Sequence, residues 1–269
     1  MAFLKVNFFS NVLGINTAMN VILPQQKANH IGMKEEVSSK SYPVLYLLHG
    51  MSDDESIWMR RTSIERYASE YGFAVIMPTT GLGWYTDTTY GLKYWTFISE
   101  ELPRICKEFF ANISDEKEDT FVAGLSMGGY GAFKLALANP KRFKASASIS
   151  GALNLASESS ILRFKENKSF WEGIFGPLEN IRGSKNDLFY LSDSIVNNTE
   201  IKVEERPKFY LCCGTEDFLY QSNLEMEKKM LDLGLSIESH YLKGNHNWSF
   251  WDLEIQNVLN WFDKLRSNK

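Results

Sequence analysis

The sequence contains little cysteine. Only three of its 269 residues are cysteine, and two of them, Cys212 and Cys213, are adjacent. An odd count with an adjacent pair does not provide the separated partners that a disulfide framework requires. Free thiols are typical of a reducing compartment, so the composition predicts a cytoplasmic location. The cysteines and histidines also lack the spacing of metal ligands, and we therefore predict no metal site.

The sequence also lacks a long hydrophobic run and a strong charge of either sign. No stretch is long enough to cross a bilayer, so we predict no membrane insertion. Residues 1–10 are interrupted by Lys5 and Asn7 and contain no small-residue cleavage site, which favours a strand over a signal peptide. The net charge of −4 argues against nucleic acid as a partner.

What is present is typical of one α/β domain spanning residues 1–269, with 44% hydrophobic and 23% charged residues. Unbroken apolar runs at residues 44–48, 73–77 and 120–123 predict strands buried on both faces of a mostly parallel, doubly wound sheet. Further strands are predicted at residues 145–150, 208–213 and 235–242, and helices at 63–71, 97–110, 127–139, 223–234 and 251–262.

Three other segments have a different pattern. Residues 3–12 and 15–23 roughly alternate apolar and polar side chains, which predicts an N-terminal antiparallel hairpin at a sheet edge. The polar segment 25–40 predicts a solvated loop. Residues 154–205 are polar with one small apolar patch, and we expect a small helical insertion over the active site.

The motif with the clearest chemical meaning lies at residues 124–128, which read Gly-Leu-Ser-Met-Gly. A buried strand precedes this motif and a helix follows it, as in a nucleophile elbow, where a sharp turn lifts a serine hydroxyl off the sheet. Gly124 and Gly128 flank Ser126 because side chains there would collide as strand and helix close together. We therefore predict Ser126 as a nucleophile.

A serine hydroxyl needs a base to remove its proton. Two histidines follow Ser126 in the chain. His240 lies inside a predicted strand, where we expect it to be buried or paired, whereas His246 lies in a loop just past that strand. Because this loop is at the edge of the sheet where Ser126 emerges, we predict His246 as the base.

The base in turn needs a carboxylate that holds its tautomer. Asp217 follows the predicted strand at 208–213, again at the carboxyl edge, and is our candidate. The adjacent Glu216 is an alternative, and Asp187 or Asp193 could reach in from the insertion. The order serine, acid, histidine is the one found in doubly wound hydrolases.

The loop after the strand at 44–48 reads His-Gly-Met. In this type of fold the loop supplies one N–H of the oxyanion hole, and the residue after the nucleophile supplies the other. We assign these roles to Met51 and Met127, with Gly50 allowing close approach of the substrate. His49 precedes the nucleophile in the chain, so we expect it to brace the loop instead of acting as a base.

Bulky side chains occur on the loops expected around Ser126. Trp58, Trp84 and Tyr85 are predicted, together with Met51 and Met127, to wall an acyl pocket that closes after a few carbons. The alternative for the aromatic side chains is packing within their own loop.

Taken together, these motifs resemble the esterase D family of α/β-hydrolases, and within it the bacterial acetyl esterases and tributyrin esterases. The matching stretches are residues 47–51, 84–87, 124–131, 214–217 and 244–246. The resemblance implies a carboxylesterase that hydrolyses short acyl esters, from acetyl to butyryl, through an acyl-enzyme. It implies Ser126, Asp217 and His246 as the triad, a small-molecule ester as the substrate, and no cofactor.

Other functions remain open at this stage. The related S-formylglutathione hydrolases carry a Cys-Thr segment soon after the oxyanion loop, whereas residues 52–58 here read Ser-Asp-Asp-Glu-Ser-Ile-Trp. This difference weakens the thioesterase interpretation without excluding it. An acyltransferase using the same triad is a further alternative, and a non-catalytic binding protein on the same fold is the least favoured one. A homo-oligomer is compatible with the sequence.

Overall fold

The structure is a computed structural model that describes residues 1–25 and 41–267. The predicted loop at 25–40 lies outside the described residues, except for its first residue. Within the described ranges, no helix combines the length and apolar character needed to span a membrane.

An eight-stranded sheet forms the centre of the molecule. Its strands are β1 (Ala2–Ser10), β2 (Ile15–Leu23), β3 (Val44–Leu48), β4 (Ala74–Pro78), β5 (Thr120–Leu125), β6 (Ala145–Ile149), β7 (Lys208–Gly214) and β8 (Ile237–Leu242). The spatial order is β1-β2-β4-β3-β5-β6-β7-β8. β2 pairs antiparallel with β1 and β4, and all other pairs are parallel. The predicted parallel sheet with an N-terminal antiparallel hairpin is therefore confirmed.

Helices cover both faces of this sheet. They are α1 (Ile57–Arg61), α2 (Ile64–Ser69), α3 (Tyr94–Thr96), α4 (Leu102–Phe109), α5 (Met127–Ala138), α6 (Glu158–Lys165), α7 (Lys168–Phe175), α8 (Leu188–Asn197), α9 (Tyr220–Asp232) and α10 (Trp248–Ser267). Residues 154–205, the predicted helical insertion, contain α6, α7 and α8.

α9 and α10 each begin three residues before their predicted bounds, and two other helices differ more from the sequence-based prediction. The helix predicted at 97–110 starts earlier, at Tyr94, and includes a π-helical turn at Phe97–Glu101 before α4. α1 was not predicted, because it is little more than one turn long and follows a polar stretch that reads as loop. In both cases tertiary packing decides the element, since short segments have little helical stability of their own.

The two faces of the sheet form two separate clusters of buried side chains. In β3, Val44, Tyr46 and Leu48 belong to one cluster, and Leu45 and Leu47 belong to the other. Helices α4 to α9 contribute buried side chains to the first cluster, and α1, α2 and α10 contribute to the second. The period-two alternation of a strand explains why an unbroken apolar run faces two cores.

Candidate active site

Ser126 is the single residue between β5 and α5. Its backbone has φ 52° and ψ −117°, a left-handed conformation that is costly for a residue with a side chain. Neighbouring backbone groups hold it there: the Ser126 N–H donates to Ile149 O at 2.9 Å, and Ser126 O accepts from Ala152 N–H at 3.2 Å. The sharp turn predicted from the motif is therefore present.

The flanking glycines are required by close backbone contacts. A Cβ atom at Gly128 would lie 2.5 Å from Leu48 O, and one at Gly124 would collide with the Gly128 backbone. Neither atom can move without breaking the sheet or the helix. The predicted reason for these glycines is confirmed, and any larger residue would push α5 away from β5 and β3.

The structure brings Ser126, His246 and Asp217 into one chain of hydrogen bonds. Ser126 Oγ lies 3.1 Å from His246 Nε2, and His246 Nδ1 lies 2.8 Å from Asp217 Oδ2. The loops after β7 and β8 are tied together, since Glu216 N–H donates to Gly244 O at 2.9 Å. This link between adjacent loops holds the acid and the histidine at a common edge of the sheet.

Asp217 is held in its ionised form. Its side chain is buried, which by itself raises the pKa of the carboxyl. Hydrogen bonds from His246 and from the Leu219 amide, the latter at 2.8 Å, together outweigh burial, so the pKa of Asp217 lies below its ordinary value. An ionised carboxylate can accept the Nδ1–H of His246 and thereby leave Nε2 free to accept a proton from Ser126.

Two aromatic rings fix the His246 ring, and the sequence analysis missed both. Phe218 and Trp251 lie with their ring centroids 4.6 and 4.9 Å from that of His246. Phe218 follows Asp217 directly, so its position beside the candidate acid was a signal that could have been used. Trp251 comes from α10, and only the packing of that helix shows that it reaches the site.

The alternative candidates lie elsewhere. Each of them has another partner. Asp187 accepts from the Phe189 amide at 3.0 Å, and Asp193 pairs with Lys229 at 2.6 Å. Glu216 pairs with Lys243 at 3.8 Å, and His240 pairs with Glu254 at 3.1 Å. His240 lies in β8 and is paired with a residue of α10, as expected for a histidine inside a strand. None of these four side chains forms a hydrogen bond to Ser126 or His246 among the described residues.

Gly50 brings the loop after β3 close to the serine. A Cβ atom there would lie 2.5 Å from Leu125 Cδ1 and 3.7 Å from Ser126 Cβ, so only glycine fits without displacing Leu125. In the described part of the chain, the Met51 amide has no hydrogen-bond acceptor. The Met127 amide is the first of α5, and the first amides of a helix have no partner within it. Both amides are thus available to a ligand.

His49 braces this loop, as predicted. Its ring is buried, and Nε2 accepts the Thr80 N–H at 3.0 Å, so the proton is on Nδ1, which lies 2.7 Å from Gly50 O. Burial lowers the pKa of His49 to about 4. The ring therefore remains neutral at neutral pH and connects the loops after β3 and β4.

The prediction that Trp58 and Tyr85 wall an acyl pocket is wrong. Both side chains are 0% exposed. Trp58 Nε1–H donates to Leu48 O at 3.1 Å, and the indole packs against Trp248. The Tyr85 hydroxyl donates to His49 O at 2.8 Å. These rings build the core under the loops and do not line an open cavity.

Trp84 is also a core residue, with 5% of its surface exposed. Its indole contacts three rings, those of Tyr130, Trp171 and Phe175, at centroid distances of 5.3 to 6.0 Å. Trp171 and Phe175 belong to α7, so Trp84 attaches residues 154–205 to the main body. The Met127 side chain is buried as well, whereas that of Met51 is 39% exposed and remains a candidate for substrate contact.

A cavity of about 120 Å³ lies on the far side of Phe218 from the histidine, and its lining does not include His246 or Ser126. Phe218, whose ring contacts His246, forms part of its wall. The other lining residues are Ala152, Asn154, Leu155, Ser157, Ser159, Ser160, Arg163, Leu219, Gln221, Ser222 and Glu225. The cavity thus lies between the loop after β6, the first turn of α9, and α6. Within residues 1–25 and 41–267, no group of three or more His, Cys, Asp or Glu side chains is arranged to hold a metal ion.

The sheet order, the strained serine turn and the hydrogen-bonded Ser–His–Asp chain at the carboxyl edge define an α/β-hydrolase. A family model described as "Putative esterase" matches residues 10–262. The chain belongs to this esterase family and is a carboxylic ester hydrolase.

Known proteins are similar over almost the whole chain. An acetyl esterase from Caldicellulosiruptor saccharolyticus is 30% identical, covering 98% of this chain and 99% of its own length. A substrate-bound fluorophosphonate-binding serine hydrolase from Staphylococcus aureus is 32% identical, with a TM-score of 0.85 over 97% of this chain and 98% of its own. An S-formylglutathione hydrolase from the same organism is also 32% identical, with a TM-score of 0.82 and the same coverage of both chains.

Proposed function

We propose that the protein is a serine carboxylesterase that hydrolyses short-chain acyl esters through an acyl-enzyme. The observation that carries this proposal is the hydrogen-bond chain from Ser126 through His246 to Asp217. The similarity to an acetyl esterase along the whole chain supports the short acyl group.

In the first step, Ser126 Oγ attacks the ester carbonyl carbon while His246 Nε2 takes the hydroxyl proton. The carbonyl oxygen gains the negative charge, which the Met51 and Met127 amides stabilise; one such donor is typically worth about 3–4 kcal/mol. The intermediate then collapses, and the departing alcohol oxygen takes the proton from His246. Asp217 remains ionised throughout and stabilises the imidazolium.

In the second step, His246 removes a proton from water, whose oxygen attacks the acyl carbon. Collapse of this intermediate returns the proton to Ser126 Oγ and releases the carboxylic acid. No step requires a metal or an organic cofactor. We propose that the cavity beside Phe218 receives part of the leaving group, because the Phe218 ring lines the cavity and also contacts His246, which protonates that group.

The test is kcat/KM for acetate, butyrate, octanoate and palmitate esters of one chromogenic alcohol. Each methylene that the site accommodates contributes about 0.8 kcal/mol by burial, so the value should rise to a maximum between acetyl and butyryl and then fall. A maximum at octanoate or longer would contradict the short-chain proposal. A fluorophosphonate probe should label Ser126 covalently, and the Ser126→Ala variant should remain unlabelled.

A second candidate function is hydrolysis of a formyl thioester. The supporting observation is the similarity to the S-formylglutathione hydrolase from Staphylococcus aureus, which covers 97% of this chain. A direct comparison of 4-nitrophenyl acetate with S-formylglutathione decides between the two, since the triad chemistry is the same and only the leaving group and acyl group differ. A kcat/KM at least about a hundredfold higher for the thioester would replace our first proposal.

The cytoplasmic location remains a prediction.

A further inference from the structure

Lys134 is a fully buried lysine on α5, the helix that begins after Ser126. Its side chain is 0% exposed, and its ammonium donates three hydrogen bonds: to Tyr85 O at 3.0 Å, Thr86 Oγ1 at 3.1 Å and Asn186 Oδ1 at 2.8 Å. Among the described residues, no carboxylate lies within 4 Å of it. Burial lowers the pKa of Lys134 well below its ordinary value, and the three hydrogen bonds oppose this effect because they use all the donors of the protonated form.

The backbone that Lys134 binds is strained. Trp84 and Tyr85 both have left-handed φ angles, 50° and 49°, although neither is glycine. Two consecutive residues of this kind persist only where the surroundings hold them in place. The Lys134 ammonium accounts for part of this restraint, since it binds the Tyr85 carbonyl and the next side chain.

Tyr85 connects this strained turn to the loop after β3. Its buried hydroxyl donates to His49 O at 2.8 Å, and the His49 ring accepts the Thr80 N–H. The residues after His49 are Gly50 and Met51, whose amide we assigned to the oxyanion hole. A continuous set of buried contacts therefore leads from Lys134 through Tyr85 and His49 to Met51.

We propose that Lys134 is a positioning residue for the oxyanion hole: by binding the Tyr85 carbonyl it holds the Tyr85 hydroxyl against His49 O and thereby fixes the Met51 amide. This inference rests on the proposed function. Through Asn186 Oδ1 the same ammonium also binds the segment that precedes α8. The known chemistry of the triad does not require such a lysine, and the acid and the base do not touch it.

The experiment compares Lys134→Met, which keeps the chain length but removes the donors, with Tyr85→Phe, which removes only the hydroxyl. Each should lower kcat for 4-nitrophenyl acetate about 10- to 100-fold and leave KM within about threefold, because a displaced oxyanion donor affects mainly the transition state. The affinity for a trifluoromethyl ketone, whose adduct with Ser126 carries an oxyanion, should fall by a similar factor. Inhibition by a short alcohol, which carries no oxyanion, should not change.

The double variant tests whether the two residues act through one connection. Its kcat should be no lower than that of the worse single variant, since both changes interrupt the same path to Met51. Lys144→Met is the matched control. Lys144 lies just before β6, at the amino end of the strand and away from the carboxyl edge that carries the site, and it forms an ion pair with Glu118. Its replacement should change neither kcat, nor KM, nor the affinity for the ketone.

Folded single variants with kcat within twofold of the wild type, or with unchanged ketone affinity, would overturn the inference, as would additive losses in the double variant. If Lys134→Met does not fold, Tyr85→Phe decides alone. Ser126→Ala separates a failure of the proposed function from a failure of this inference. If Ser126→Ala is active, the proposed function is refuted. If Ser126→Ala is inactive and Tyr85→Phe has normal activity, only the role of Lys134 is refuted.

Discussion

Two of the turns at the carboxyl edge of the sheet contain non-glycine residues with positive φ angles but have different surroundings. Ser126 follows β5, and Trp84 and Tyr85 follow β4; all three have left-handed φ angles without being glycine. Ser126 is partly exposed and faces His246, whereas the two aromatic residues are buried. Ser52 after β3 and Ser150 after β6 also have positive φ angles. Backbone strain therefore accompanies both the candidate nucleophile and buried supporting residues, and it does not by itself identify a reactive group.

The largest expected effect is at the exposed turn that carries Ser126. Ser126→Ala should lower kcat for 4-nitrophenyl acetate by about 10⁴- to 10⁶-fold, because members of a catalytic triad act as one unit, and His246→Ala should be about as severe. Thermal unfolding of Ser126→Ala should stay close to that of the wild type, since only one oxygen atom is removed. Activity above a few per cent would refute the assignment of the nucleophile.

The acid is tested by a pair of neighbouring variants. Asp217→Asn should lower kcat by about 10²- to 10⁴-fold, because an amide favours the wrong imidazole tautomer. Glu216→Gln is the matched control and should change kcat less than twofold, since the Glu216 side chain is half exposed and faces Lys243. If the Glu216 variant were the more damaged of the two, the acid would be misassigned.

The Trp84 side chain of the buried turn should matter for stability and not for the choice of acyl group. Trp84→Ala should lower the free energy of unfolding by about 3–5 kcal/mol, the usual cost of emptying a large aromatic site in a core. Denaturant titration measures this loss. The ratio of kcat/KM for butyrate and acetate esters should stay constant, whereas a changed ratio would show that Trp84 contacts the acyl group after all.

His49 lies between the two turns and should make stability depend on pH. Its pKa is lowered to about 4 in the folded protein, so between its ordinary value and pH 4 the unfolded state binds more protons. Stability is therefore unaffected by this group at neutral pH and falls as the pH drops toward 4, by about 3 kcal/mol in all.

His49→Gln retains an acceptor for the Thr80 amide but does not titrate. Its free energy of unfolding, measured by denaturant titration at several pH values, should fall less steeply than that of the wild type between about pH 6.5 and 4. Equal slopes would mean that His49 is not the group responsible. Asp217, whose pKa is also lowered, contributes at lower pH and is unchanged in both proteins.

The sheet and the positions of Ser126, Asp217 and His246 could be predicted from the sequence because each depends on local patterns. An unbroken apolar run specifies a strand buried on both faces, and a Gly-x-Ser-x-Gly motif specifies a tight turn whose neighbours cannot carry side chains. Strand ends of a parallel sheet share one edge, so residues just beyond three such strands were expected to meet.

The roles of the aromatic residues were decided only by tertiary structure. A tryptophan near a strand end has the same local signature whether it lines a pocket or fills a core, and Trp84 became a core residue because α7 packs against it. The contacts around His246 from Phe218 and Trp251, and the convergence of Lys134, Tyr85 and His49, join residues far apart in the chain. Local patterns cannot specify such contacts, because they exist only once the packed helices exclude water from the space between them.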